Sequence, residues 1–569
     1  MSGTHPHGGS ISTLSRRLGP GDVLRRGALR PYRRIGVLDG EPHRWREDLL
    51  GAGAGRWLPA DGATARPLLT VAHVTDLQLP DVGSTARFEF FNREFGDPLF
   101  AKLVPVQRPQ EALTARAMHA MVSTLNRLNA EEGAPVSGRG LDLVVTTGDA
   151  IDNAQWNELR NWMALMSGGR VRPGSGGAGY QGVQGPSWPD DIFWCPDRPG
   201  GDLWQTQYGF GVRPGLLTAA LADFDCPGLE VPWLACFGNH EALIQGVGVV
   251  TAELAAAMTG GVKPSRLVPG LDRRSALEVF TATGHEFFGE GSAPVAVSAD
   301  TDRRPVGRRE FVEAHFGAGE RPDGHGFTAR NRRDGTAYYS HDAGAVRIIT
   351  LDTTSSAGGA DGCLDATQAR WLAAELAAVH SRHTAADGTV VETANEDRLV
   401  VLLSHHGPST LTNTRGSLVD GTGEAAVTAA ELVALLHRFP NVVLWLDGHT
   451  HVNAVRAHPG PAGPGSGFWE VTTCAVMDWP CQARVVELLD AGEGLLALAC
   501  TMVDHEGRVV PAEGELHSTA DLAGLHRELA GNVPWLGFDS PTSGTALDRN
   551  VVLGLRAPFD LGRLPASAP

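Results

Sequence analysis

The chain reads as an α/β fold, on two observations. Five short apolar runs, rich in β-branched residues, each stop at Asp, Asn, His or Gln, and a helical period separates the first two. Leu68 to Thr75 delivers Asp76 and Gln78, Leu141 to Gly148 delivers Asp149, and Val231 to Phe237 delivers Gly238, Asn239, His240 and Glu241. Leu399 to Ser404 delivers His405 and His406, and Val442 to Asp447 delivers Gly448, His449, Thr450 and His451. A single Gly-Asp after a strand is ordinary turn chemistry. Five such strand ends carrying metal-competent side chains are not.

Each segment is then read in order. Residues 1–65 are rich in Gly, Pro and Arg without sustained periodicity and are expected as an N-terminal arm. Residues 66–504 are expected as the main domain. Within it, Leu113, Met118, Met121, Val122, Leu125 and Leu128 share one face of a helix over Glu111 to Asn129, so a strand, helix, strand unit returns the chain to Asp149. About 155–230 is an insertion in which Trp156, Trp162, Trp188, Trp194 and Trp204 lie among Gly and Pro clusters. It reads either as a satellite cluster or as a lid shaping a pocket. A second insertion covers about 242–335.

Strand signals resume at Val346 to Thr353. Asp365 and Gln368 are spaced as a capping box, ahead of a buried stripe of Leu364, Trp371, Leu372 and Leu376. Phe468 to Val476, Ala483 to Leu489 and Leu495 to Met502 read as an antiparallel meander completing a second sheet. Residues 505–569 are expected as a C-terminal extension packed on the core, with one helix near Asp521 to Leu529.

A formal net charge of −17 over 569 residues argues against nucleic acid or an anionic membrane as partner. No apolar run approaches the roughly 20 residues of a membrane span. Arg16-Arg17 and Arg25-Arg26 are not followed by an apolar stretch, so the numbered chain is expected in the cytoplasm, or exported if translation starts elsewhere. Seven cysteines without a Cys-x-x-Cys pair read as reduced thiols, Cys195 with Cys226 being the one pair to consider for a bridge. Oligomeric state is not specified.

Two neighbouring divalent cations need a shared carboxylate with N and O donors on each side. Asp76, Gln78, Asp149 and His451 would hold one ion, and Asp149, Asn239, His405 and His449 the other, with His406 a neighbour. His240 is the candidate general acid or phosphate-binding residue, Asp152 its orienting partner, and Asn153 a candidate substrate contact. Asp152 and Asn153 equally suit a cap on the helix that follows.

The order Asp-x-Gln, Gly-Asp-x-x-Asp-Asn, Gly-Asn-His-Glu, Ser-His-His-Gly and Gly-His-Thr-His resembles the calcineurin-like metallophosphoesterase superfamily over roughly Leu68 to Met502. The long segments between motifs look similar to an actinobacterial branch of it. The resemblance implies two packed mixed β-sheets flanked by helices, the four-layer metallophosphoesterase sandwich, with a dimetal site at strand ends. It also implies hydrolysis of a small phosphorylated substrate, a monoester or diester, by a metal-bridging hydroxide. Manganese, iron, zinc and calcium are all compatible. Gln78 departs from the family pattern, which has histidine there, and an amide oxygen suits a hard cation better than a soft one. The competing class is a non-catalytic scaffold keeping the fold as a binding module, which would have lost several ligands or His240.

Overall fold

The computed structural model describes residues 11–51, 65–317, 319–414, 426–511 and 518–564. Two mixed sheets lie face to face. In the larger, seven strands run in the spatial order Arg44–Arg46, Val551–Arg556, Leu495–Asp504, Gln482–Gly492, Arg66–Val74, Leu143–Thr146 and Trp233–Leu234. The smaller has six, ordered Tyr339–Ala343, Val346–Thr350, Leu399–Leu403, Val442–Asp447, Gly467–Thr472 and Ala454–Pro459. Strands covered on both faces need no polar alternation, which explains the unbroken apolar runs. Leu69, Val71 and Val145 of one sheet meet Ile348, Val401, Leu403 and Leu446 of the other in a single buried cluster. Each such side chain contributes about 1.5–3 kcal/mol on burial.

Helices cover the outer faces. Thr114–Arg127 and Trp156–Ser167 bury Met118, Met121, Leu125, Leu159 and Trp162 against the larger sheet. Ala366–Ala377 and Ala429–His437 bury Leu372, Leu376, Leu432 and Leu436 against the smaller. The four layers are those the motifs imply, and Arg66–Val74, Thr114–Arg127 and Leu143–Thr146 form the expected strand, helix, parallel strand unit.

Several segments differ from expectation. The meander divides between the sheets: Gln482–Gly492 pairs with Leu495–Asp504 and with Arg66–Val74 in the larger, while Gly467–Thr472 runs parallel to Val442–Asp447 in the smaller. Apolar pattern marks a strand as buried without saying which sheet buries it. The segment expected as an arm holds a hairpin, Arg16–Arg26 with Pro31–Asp39, and the edge strand Arg44–Arg46. Its residues 1–10 and 52–64 lie outside the described residues.

Asp365 Oδ1 accepts from Gln368 N at 2.7 Å as a cap should. Gln368 does not reciprocate, because its amide grips both backbone groups of Asp352 instead. The first insertion packs Trp194, Trp204 and Phe210 against Leu522, Leu525 and Leu529 of helix Thr519–Asn532, a satellite cluster. All seven cysteines are free and buried, and no helix among the described residues is long and apolar enough to cross a membrane.

Buried histidines set a pH limit on this fold. Burial, then the neighbouring His325, holds fully buried His315 down to about 3, among the rings of Phe311, Phe327 and Trp233. A base whose folded pKa lies below its unfolded value of about 6.5 destabilises the native state once pH falls below that value, progressively until the folded pKa is reached. His315→Phe should therefore lose about 2 kcal/mol less stability than the parent between pH 7 and pH 5. Urea-unfolding midpoints at the two pH values test this, and equal acid sensitivity in both proteins would refute it.

Candidate metal centre

The parallel strands of both sheets discharge their carboxyl ends toward one seam. His405 Nδ1 lies 2.7 Å from Thr147 O across the sheets, Gly448 N donates to His405 O at 3.1 Å, and His449 N donates to Asp76 Oδ2 at 3.0 Å. At this seam Asp76, Gln78, Asp149, His449 and His451 all adopt left-handed backbone, with φ of 51°, 42°, 52°, 65° and 58°. Non-glycine residues in that region cost of order 1–3 kcal/mol each and persist only where the surroundings enforce them. The glycines before two of the motifs make the approach feasible. A Cβ on Gly238 would lie 2.2 Å from Asp149 Oδ1, and one on Gly448 would lie 2.4 Å from Asp76 Oδ2.

Six of the seven sequence-predicted ligands are linked by short distances here, and the seventh, Asn239, lines the same cleft. Asp149 Oδ2 is 3.1 Å from His405 Nε2 and 3.3 Å from Gln78 Nε2. His405 Nε2 is 3.2 Å from His449 Nδ1, and His451 Nε2 is 3.3 Å from Asp76 Oδ1 and from Gln78 Nε2. Asn239 anchors its amide nitrogen on Gly246 O at 2.9 Å. His406 also lies close to His405 and His449. Its ring nitrogens are engaged by Thr353 Oγ1 and Ala360 O, which fits a neighbour rather than a ligand.

Whether these residues suit cations is decided by their unused oxygens. Gln78 Oε1 and Asn239 Oδ1 are buried and accept no hydrogen bond among the described residues, while Asp76 Oδ1 faces His451 Nε2 at 3.3 Å. Leaving such atoms unpaired typically costs about 1–3 kcal/mol each, so two lining one cleft call for an electrophile. Candidate ligand atoms of Asp76, Asp149 and His405 all lie within 4.8 Å of one another. The potential agrees. Burial works against charge on His405 and His451, yet Asp149 raises the first to about 10 and Asp76 with Asp478 raises the second to about 9. Burial and then the charge of His405 press His449 down to about 3, so His449 is already neutral, and cations would displace the protons of His405 and His451 on binding. The donor set fits divalent cations.

His240 stands at the rim of the same cluster. Its Nδ1 is 2.8 Å from Asp152 O and 3.4 Å from Asp152 Oδ1, and its Nε2 is 3.0 Å from Gln78 Nε2. Asn153 is not brought to the cleft. Its amide donates to Ser84 Oγ and Gln155 Oε1 and accepts from Gln245 N, so it ties loops together instead of facing substrate.

Sequence reasoning missed the groups behind the ligands. Glu241 accepts from the backbone of Gly238, Asp149, Ala150 and Ile151 at 2.6 to 3.2 Å, clamping two motif loops. A buried run of alternating charge joins the two ends of the site. Asp152 is 3.5 Å from Arg87, Arg87 is 2.7 Å from Glu111, Glu111 is 3.7 Å from Arg108, and Arg108 is 3.1 Å from Asp478. Asp478 Oδ2 in turn lies 2.7 Å from His451 Nδ1. No local sequence pattern marks Arg87, Arg108, Glu111 or Asp478 as belonging to the site. A cleft of about 260 Å³ opens here, lined by Gln78, Asp149, Asn239, His240, His449 and His451 together with Lys102 and Arg108.

No protein-family model matches the chain, and no curated protein does. Among solved structures it is similar to a dimetal phosphatase from Danio rerio, at 12% identity and TM-score 0.34, over 77% of this chain and 99% of that one. It is similar to a purple acid phosphatase from yellow lupin seeds, at 10% and 0.29, over 82% of this chain and 54% of that one. A third is the sulfate thiohydrolase SoxB of Thermus thermophilus, at 14% and 0.26, over 81% and 60%. The functional reading rests on the geometry of the seam itself.

The carboxylate behind His451 gives a direct test. A hydrogen bond to the far nitrogen of a ligating histidine fixes its tautomer and ring orientation, and its loss typically costs about 10- to 100-fold in metal affinity. Asp478→Asn should therefore weaken manganese binding by about that factor in calorimetry, with an unchanged circular dichroism spectrum. Unaltered affinity would remove Asp478 from the metal centre.

Proposed function

We propose that the protein is a dimetal-dependent phosphoester hydrolase of the calcineurin-like metallophosphoesterase superfamily. The observation that carries this reading is the clustering of Asp76, Asp149 and His405 directly beneath a cleft lined by Gln78, Asn239, His449 and His451, with the buried oxygens of Gln78 and Asn239 left without donors. Asp76, Gln78, Asp149 and His451 would hold one ion, and Asp149, Asn239, His405 and His449 the other, Asp149 being shared. Divalent cations held there supply a water acidified to near-neutral pKa and polarise phosphoryl oxygens.

The chain's own residues then do the following. Asp152 holds His240 through Nδ1, which presents Nε2 to the cleft, and there His240 keeps a proton for the departing alkoxide. Burial opposes charge on His240, but Asp149 and Asp152 outweigh it and raise its pKa, which favours the acid form. Arg108, anchored from behind by Asp478, adds fixed positive charge to the wall that receives the phosphoryl group.

Hydrolysis of 4-nitrophenyl phosphate and its bis ester, with manganese and with EDTA, tests the activity. Asp149→Asn should lose metal and turnover together. His240→Ala should keep its metal and lose about 10²- to 10⁴-fold in kcat, the usual worth of a positioned proton donor. An Asp149→Asn protein with full activity would overturn the proposal.

A further inference from the structure

A second depression adjoins the metal cleft and shares Lys102, Leu103, Val247 and Asp361 with it. It holds about 770 Å³ against about 260 Å³ for the cleft. Sites for organic ligands typically span about 300 to 1,000 Å³, so the cleft alone falls short of that range and the groove lies within it.

The groove's apolar side is rigid. Leu103 and Val247 belong to the cluster built on Phe88, Phe91, Phe100, Phe280 and Phe287, and Leu277 packs against it from helix Arg273–Ala282. Edge-to-face contacts lock those rings together, Phe88 to Phe287 at 4.8 Å and Phe91 to Phe280 at 5.5 Å. The opposite side is polar, with Glu278, Thr281, Thr412 and Asn413 along it. An ion pair between Lys102 and Asp361 stands where groove and cleft join, and Arg274 lies along the groove. A rigid apolar wall running away from a cluster of phosphoryl-directed groups is the arrangement a two-part substrate requires.

We propose that this groove is the subsite for the organic half of the substrate, which is therefore a phosphoester of a bulky alcohol with one extended apolar face. The proposal rests on the hydrolase reading for what happens in the cleft, and on the groove alone for what is selected. Phosphoryl oxygens lie in the cleft, the ester oxygen passes the Lys102–Asp361 pair, and the carbon skeleton lies along Leu103, Val247 and Leu277.

The test compares ethyl phosphate with n-octyl phosphate below its micellar concentration, two esters whose alcohols are similar leaving groups. On the manganese-loaded full chain, kcat/KM for the octyl ester should exceed that for the ethyl ester at least about tenfold, through buried methylenes. Ala282→Trp fills the groove from an exposed position at the end of its helix, and Leu277→Ser removes part of the wall. Both should erase the octyl advantage, and Ala282→Trp should leave ethyl ester turnover unchanged. Calorimetry with octylphosphonate and methylphosphonate reads the same preference without turnover.

Equal efficiency for the two esters, with equal phosphonate affinities, would overturn the groove assignment and leave the hydrolase reading intact. Tighter octylphosphonate binding that Ala282→Trp abolishes, with neither ester hydrolysed, would uphold the groove and sink the hydrolase.

Discussion

The contact on which the rest of the molecule depends is the end-to-end seam between the two sheets. Thr147 O holds the His405 ring and Asp76 Oδ2 holds the His449 amide, so each sheet grips a ligand carried by the other. Val476 N adds a third tie, to Thr75 O at 3.2 Å. Packed interiors transmit displacement instead of absorbing it, so a slip of one sheet by an ångström would part Asp76 and Asp149 from His405 and His449. The apolar layer between the sheets is thus the scaffold of the site as well as the core. Leu69 and Val71 lead into Asp76, and Leu403 and Leu446 into His405 and His449.

Buried charge is the second constraint. Arg87, Glu111, Asp152 and Asp478 are almost wholly removed from water, and a lone charge in that position costs several kcal/mol. Alternation along the run from His240 to His451 gives each member an opposite neighbour, and burial still pushes Glu111 up to about 7. Such a network contributes little net stability over apolar packing. Its effect is orientation, because His240 and His451 each keep Nδ1 engaged and Nε2 facing the cleft.

Much of this was legible in the sequence. Runs such as Val442 to Asp447 announce their strands because burial on both faces removes the polar positions that blur a pattern, and the motifs at their ends point to Asp76, Asp149, His405 and His449, which the seam brings together. Trp233–Leu234 has only two residues in register, yet its Gly-Asn-His-Glu ending marked it. What failed did so for identifiable reasons. Arg108 and Asp478 stand 370 positions apart, and no local rule pairs them. Asn153 looked like a substrate contact because its neighbour Asp152 is at the site, but one residue along a tight turn points the other way. Arg44–Arg46 was invisible because a short edge strand of charged residues carries no apolar signature.

The left-handed backbone at Asp76, Gln78, Asp149, His449 and His451 has an evolutionary corollary. Each of these positions would relax if glycine or asparagine replaced the functional side chain, since those residues tolerate positive φ at lower cost. Drift away from activity would then tend to toughen the molecule rather than weaken it. A chain of this fold with glycine or asparagine at these positions would be expected to show greater thermal robustness.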